Sequence, residues 1–345
     1  MPMSFHLALE ASVALLPVLL FLGGLIYLDS FRLVALTTAF AVLSLGAFAA
    51  GASYFVSGAA MDALHLDFAG YSRYAAPLVE ESLKAAAVVL LFSRNRVGFM
   101  IDAIILGVAV GAGFSMFENI YYAWLFPDAD IGVWIVRGFG TALMHGGTAA
   151  VFAVTAQILR ERCHETGVAA YLPGFVMAVS LHSLFNQFTP WPLYSAAGTM
   201  VVLPLMLLFL FDKSEHEVHT WLIHDYETHE RLLEAIRDGS FVHSEAARFI
   251  SRLVEKFPRN VVTTIFAYVK LHTTLVLRAE QMTLAQETGR HVRATEADRE
   301  DFARLHRLER SIGRTALLTI WPYLKFSRQE MFEIQSLERR AQHTP

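Results

Sequence analysis

Ionisable side chains stand inside apolar stretches of this sequence, where lipid-facing chain would carry none, among them Glu80, Glu81, Lys84, Glu118, His145 and His182. A charge near mid-bilayer costs about 2.5–3.5 kcal/mol on insertion scales, so each must face protein, water or another of its kind. Lys84 lies four residues after Glu80 and three after Glu81, so one ammonium shares a helix face with both carboxylates. It can neutralise one and leave the other for proton transfer. Arg137, Thr141 and His145 follow at four-residue steps along one face, as do His182 and Asn186, while Asn119 adjoins Glu118. Peptide hydrolysis needs an activated water, a donor for the oxyanion and a proton for the leaving amine, and this inventory contains all three.

Two schemes stay open. In one, Glu80 or Glu81 is the general base and the other carboxylate pairs with Lys84 or Arg137. His145 or His182 then protonates the leaving group, and Asn119 or Asn186 faces the oxyanion. In the other, Glu118, His145 and His182 form the two-histidine, one-carboxylate set that suits catalytic zinc, with a glutamate of the opening pair as base. No HExxH stands anywhere in the chain, so a metal set would have to come from tertiary convergence, and the metal-free scheme is the simpler. Asn119 and Asn186 also suit interhelical hydrogen bonding, Arg137 can snorkel, and Asp102 reads as a helix-start carboxylate.

The elements that position these groups are membrane helices. At 54% hydrophobic, 17% charged and a mean hydropathy of +0.42, the 345 residues are too apolar for one soluble globule. No basic excess argues for nucleic acid, given a net charge of −4. The charged residues divide 20 to 40 on either side of Asp212, so the composition predicts a membrane domain over 1–211 and a polar domain over 212–345. Windows of about 20 residues give seven spans, near 9–28, 33–57, 74–92, 99–126, 134–159, 168–189 and 192–211. The fold class is thus an all-α polytopic bundle. Arg94 and Arg96, then Arg160 and Arg162, mark two cytoplasmic loops, while Asp128 and Asp130 mark an outer one. That predicts an N-terminus outside and a C-terminal domain in the cytoplasm. Counted along their helices, Glu80, Glu118, His145 and His182 fall roughly 9–17 Å below the outer boundary, in one layer. Pro77 predicts a helix start, with Glu80 and Glu81 in its first turn.

Beyond Asp212, apolar residues at three and four spacing predict a small cytosolic helical bundle, interrupted at Gly239–Ser240, at Pro258 and over 288–298. No catalytic motif appears in it, and a regulatory or interaction role is expected. His216, His219, His224 and His229 resemble metal spacing only loosely. Cys163, the sole cysteine, excludes a disulfide within the chain and reads as an inert loop residue.

The motifs EESLK, FSMFEN, RGFGTALMHGGTA and LHSLFN resemble, in order, the EExxK, FxxxEN, RxxxTxxxH and HxxxN motifs of the PrsW family of intramembrane proteases. That family is distantly similar to the type II CAAX prenyl endopeptidases. The likeness covers about Tyr71 to Asn186. It implies cleavage of a membrane-associated protein, an anti-sigma factor for the founding members, on the extracytoplasmic side of the cell (inner) membrane. By position it carries the paired glutamates to Glu80 and Glu81, and the motif lysine to Lys84. Glu118 and Asn119 match the second motif, and His145 and His182 the two histidines. A proton- or ion-coupled transporter is the main alternative, since membrane carboxylates and histidines serve it equally, although no inverted repeat is visible. A non-catalytic membrane sensor or scaffold is the other.

Overall fold

The computed structural model describes the chain apart from residues 1–2, 32, 66, 68–69, 163–166, 188–190, 239–258, 291, 314–316, 318–326 and 343–345. Cys163 and the boundaries expected at Gly239–Ser240 and Pro258 lie outside the described residues. Within them there are helices and no strands. The chain divides into two units, 1–215 and 216–345.

The first unit contains α1 (Met3–Leu28), α2 (Leu36–Leu64), a π-helical turn (Tyr71–Ala75) running into α3 (Ala76–Ser93), and α4 (Met100–Leu125). Next come the short α5 (Ile131–Val136), a second π-helical turn (Arg137–Thr141), α6 (Ala142–Arg162), α7 (Leu172–Gln187) and the start of α8 (Pro192–Asp238). Among the described residues, six spans are long and apolar enough to cross a membrane. The seventh expected span, α3, falls short of that count because Glu80, Glu81 and Lys84 interrupt its 18 residues.

At the centre is α4, buried without a break from Met100 to Ser115, as an all-round apolar helix must be. Its start is fixed by Asp102, whose Oδ2 accepts from the backbone N–H of Gly98 and Phe99 at 3.0 and 2.9 Å, the helix-start role its position suggested. On one side it packs on α2 and on another on α6. The α4–α6 approach is close because Gly111 has no side chain: a Cβ there would collide with the carbonyl of His145. Backbone contact between small residues is the usual way membrane helices gain dispersion energy, and here it fixes the height of His145.

Both π-helical turns run directly into site-bearing helices. The first relieves the backbone ahead of Pro77, which lacks an N–H and crowds the preceding turn. It also carries the helical path back to Tyr71, so Glu80 and Glu81 are not in a first turn as expected, and no free helix N-terminus adjoins them. A second difference concerns α8. Composition changes at Asp212, but from Leu205 to Asp238 there is neither Gly nor Pro, and the helix continues without a break.

The second unit contains the end of α8, α9 (Arg259–Glu287), α10 (Glu296–Ile312) and α11 (Arg328–Gln342). Thr295 and Asp298 cap α10 reciprocally, and Ile265, Val276, Phe302 and Leu337 belong to its apolar core.

Candidate active site

Adjacent residues on a helix point about 100° apart, so Glu80 and Glu81 cannot face the same way. Glu81, 2% exposed, turns into the bundle. Its Oε1 accepts from Lys84 Nζ at 2.5 Å, from the Thr148 hydroxyl at 3.2 Å and from His182 Nδ1 at 2.7 Å. Lys84 also reaches His145 Nδ1 at 2.9 Å and lies over the Phe114 ring at 5.0 Å. This buried knot ties α3 to α6 and α7, with the ammonium countering the carboxylate.

Glu80 faces the other way, into a cavity of about 1100 Å³ that it lines together with Glu118, Arg137, His145, His182 and Asn186. Its Oε2 lies 4.0 Å from His145 Nε2 and 3.9 Å from His182 Nε2. The two imidazole rings stand perpendicular, with centroids 5.0 Å apart. Glu118 Oε2 contacts His145 Nε2 at 3.1 Å and Arg137 Nη2 at 3.1 Å. The Arg137 guanidinium stacks 4.1 Å above Tyr122, and its Nε donates to Asn119 Oδ1 at 2.8 Å. Four helices thus each bring an ionisable group to one place, and Thr141 reaches the same wall as Arg137 and His145.

The amides are placed differently. Asn119 is 1% exposed and donates to the Ala14 carbonyl of α1 at 2.8 Å. Asn186 lines the cavity, and its amide donates to Ser72 O at 2.8 Å. The motifs did not point to Thr148, although its place three residues after His145, on the same helix face, was a usable signal. Of the site's aromatic neighbours, Phe114 opens the FSMFEN motif, whereas Tyr122 had no such mark.

Glu80, His145 and His182 offer one ligand atom each, all within 4.8 Å of one another. Glu80 and His182 fit a divalent ion of the zinc type, and His145 completes the set once its Nε2 gives up the proton it shares with Glu118. Glu80 Oε2 is buried without a hydrogen-bond partner, and His182 gives its Nδ1 proton to Glu81, which leaves the Nε2 lone pair directed at Glu80. The carboxylate that lies near both imidazoles is Glu80, where the sequence offered Glu118; Glu118 contacts His145 alone of the two and pairs with Arg137.

A family model, described as the PrsW family of intramembrane metalloproteases, matches residues 30–211. The chain belongs to that family. It is therefore a multi-pass membrane peptide hydrolase, and the transporter and scaffold readings give way. The match reaches past the four motifs to include α2 but leaves α1 outside. Comparison with the curated proteins gave no match, and comparison with the solved structures gave none.

Proposed function

We propose that this PrsW-family protease cuts a membrane-associated protein within the cavity shared by Glu80, Glu118, His145 and His182, near the extracytoplasmic leaflet of the cell membrane. The observation that carries this reading is the meeting of two imidazoles and a carboxylate on the wall of a large cavity among apolar helices. The positions of Arg94, Arg96, Arg160 and Arg162 support an outside N-terminus and a cytoplasmic second unit.

Glu80, His145 and His182 are the residues that would hold the metal ion. Such an ion, when bound, supplies Lewis-acid polarisation and lowers the pKa of water. The chain's own groups divide the remaining work. Glu81 accepts the Nδ1 proton of His182 and so fixes its tautomer, while Lys84 contributes the countercharge. Glu118 takes a proton from the attacking water as the hydroxyl adds to the scissile carbonyl carbon. It returns that proton to the amine as the C–N bond breaks. Arg137, whose Nη2 borders Glu118, donates to the oxyanion. That role falls to it because Asn119 is engaged with Ala14 and Arg137 itself. An extended substrate backbone needs partners wherever water is scarce, and Asn186, Ser72 and the Tyr71–Ser57 hydroxyl pair line the wall to supply them. The anti-sigma factors cut by the founding members are one substrate class of this kind; the cavity asks only for an apolar segment that can unwind.

The test is incubation of purified protein with candidate single-pass membrane proteins from the same genome, with cut ends mapped by mass spectrometry. The expected result is a new terminus in or beside the substrate's apolar segment, absent with Glu80→Gln and with Glu118→Gln. A cut that survives both substitutions overturns the assignment.

A further inference from the structure

Helix α1 lies outside the family-matched residues, yet it is seated against the site-bearing elements. Ala14, Val18, Leu22 and Leu25 form one stripe on it, all buried, and Val18 packs on Ala112 of α4 and Ala142 of α6. At the top of this stripe the contact becomes polar. The Ala14 carbonyl accepts from Asn119 Nδ2, Asn119 Oδ1 accepts from Arg137 Nε, and Arg137 Nη2 holds the Glu118 carboxylate that contacts His145. One residue further on, Gly138 lies so close to the Val13 carbonyl that any Cβ would collide with it.

An Ala14 carbonyl bonded within its own helix has a second lone pair, and Asn119 uses it. An amide held at both ends has one orientation, which forces Arg137 Nε toward it and aims the far edge of the guanidinium at Glu118. Interhelical amides and close glycine contacts also serve packing alone in membranes; what sets this line apart is that it runs on from Asn119 through Arg137 to the Glu118 carboxylate on the cavity wall.

We propose that α1 is a working part of the active site, and that Asn119, anchored on the Ala14 carbonyl, is a positioning residue that sets Arg137 and through it Glu118. This rests on the hydrolytic reading of the cavity above. The closing experiment uses the full-length protein and three variants. Asn119→Asp keeps an acceptor for Arg137 Nε, and a charge to match it, but loses the N–H to Ala14. Gly138→Ala leaves every polar group in place and pushes on α1. Leu22→Ala loosens α1 away from the polar line.

The expectation is that Asn119→Asp and Gly138→Ala lower kcat about tenfold or more, with KM within about twofold, as loss of an outer supporting contact does. Leu22→Ala lowers thermal stability and leaves kcat alone. Wild-type kcat in both Asn119→Asp and Gly138→Ala overturns the proposal, and so does an equal loss in Leu22→Ala, which would mean packing alone. If the wild-type protein cuts nothing, the hydrolytic reading fails separately. Hydrogen exchange over 131–147 then decides the α1 link: faster exchange in Asn119→Asp supports it, and no change overturns it.

Discussion

The two units each bury histidines among carboxylates, and they treat them in opposite ways. In the membrane unit His182 donates Nδ1 to Glu81 and keeps Nε2 directed at Glu80 and the cavity. In the second unit His229 of α8 has both nitrogens closed, Nδ1 by Glu280 of α9 at 3.0 Å and Nε2 by Glu330 of α11 at 2.9 Å. Burial alone would pull His229 down, but those two hydrogen bonds outweigh it and hold its pKa up at about 10. An imidazolium between two carboxylates is a tie between helices. An imidazole with one nitrogen oriented and the other open is a tool. Of the loosely spaced histidines, His229 thus reads as structure, and His219, paired with Glu287 at 2.8 Å, agrees.

The largest effect expected from this contrast is in the membrane unit. Glu80→Gln, nearly isosteric, should lower cleavage by at least about 10³-fold while leaving the melting temperature within a few degrees of wild type. Measurement of kcat/KM beside a thermal scan checks it, and a mild loss would place Glu80 among the ties.

The mirror experiment is His229→Leu. Two buried carboxylates lose their shared cation, so the second unit should lose about 3–5 kcal/mol, the cost of breaking a buried pair from one side. Hydrogen exchange over 259–287 reads that loss locally. Site chemistry should survive, with kcat/KM for the folded fraction within about threefold of wild type.

The pH dependence of the same tie has a definite sign. The folded pKa of His229 lies above the ordinary value of 6.5, so its stabilisation is fully present below pH 6.5 and is lost as pH rises toward about 10. Exchange over 259–287 should quicken across that window, and His229→Leu should remove the dependence. Stability that climbs with pH there would contradict the tie.

How much of this was legible in the sequence follows from what each feature depends on. Apolar runs broken by loops gave the helices, because a membrane span has to satisfy its own backbone bonds. Helix periodicity placed Arg137, Thr141 and His145 on one face. The inward turn of Glu81 was not legible, since it depends on where Thr148 and His182 lie in space, on helices about 65 and 100 residues away in sequence. The π-helical turns at Tyr71–Ala75 and Arg137–Thr141 have no sequence mark beyond Pro77. The unbroken α8 shows the converse error: a change in composition predicts a change of surroundings, whereas only a backbone breaker predicts the end of a helix. Asn119 was legible as polar and buried, but its acceptor is a main-chain carbonyl of an unmarked alanine, which no side-chain pattern reveals.

The smallest effect belongs to Glu333 of α11, a buried carboxylate of the second unit whose Oε2 accepts from the Thr283 hydroxyl. Burial pushes it up, and the Thr283 hydroxyl at 2.8 Å and Arg340 pull it back only as far as about 7, with Glu280 opposing them. Below the ordinary value of 4.5 both folded and unfolded chains hold the proton, and the residue has no pH-dependent effect. Between 4.5 and about 7 the unfolded chain releases the proton that the folded one retains, so stability falls as pH rises; above 7 the full deficit is present. Glu333→Gln keeps the shape and the hydrogen bond from Thr283, and has no proton to lose. It should therefore stabilise the second unit by roughly 1–3 kcal/mol above pH 7 and do nothing below pH 4.5. The same substitution at Glu80 is expected to remove activity, because there the charge faces a cavity where it can act, whereas at Glu333 the charge is only a cost of folding.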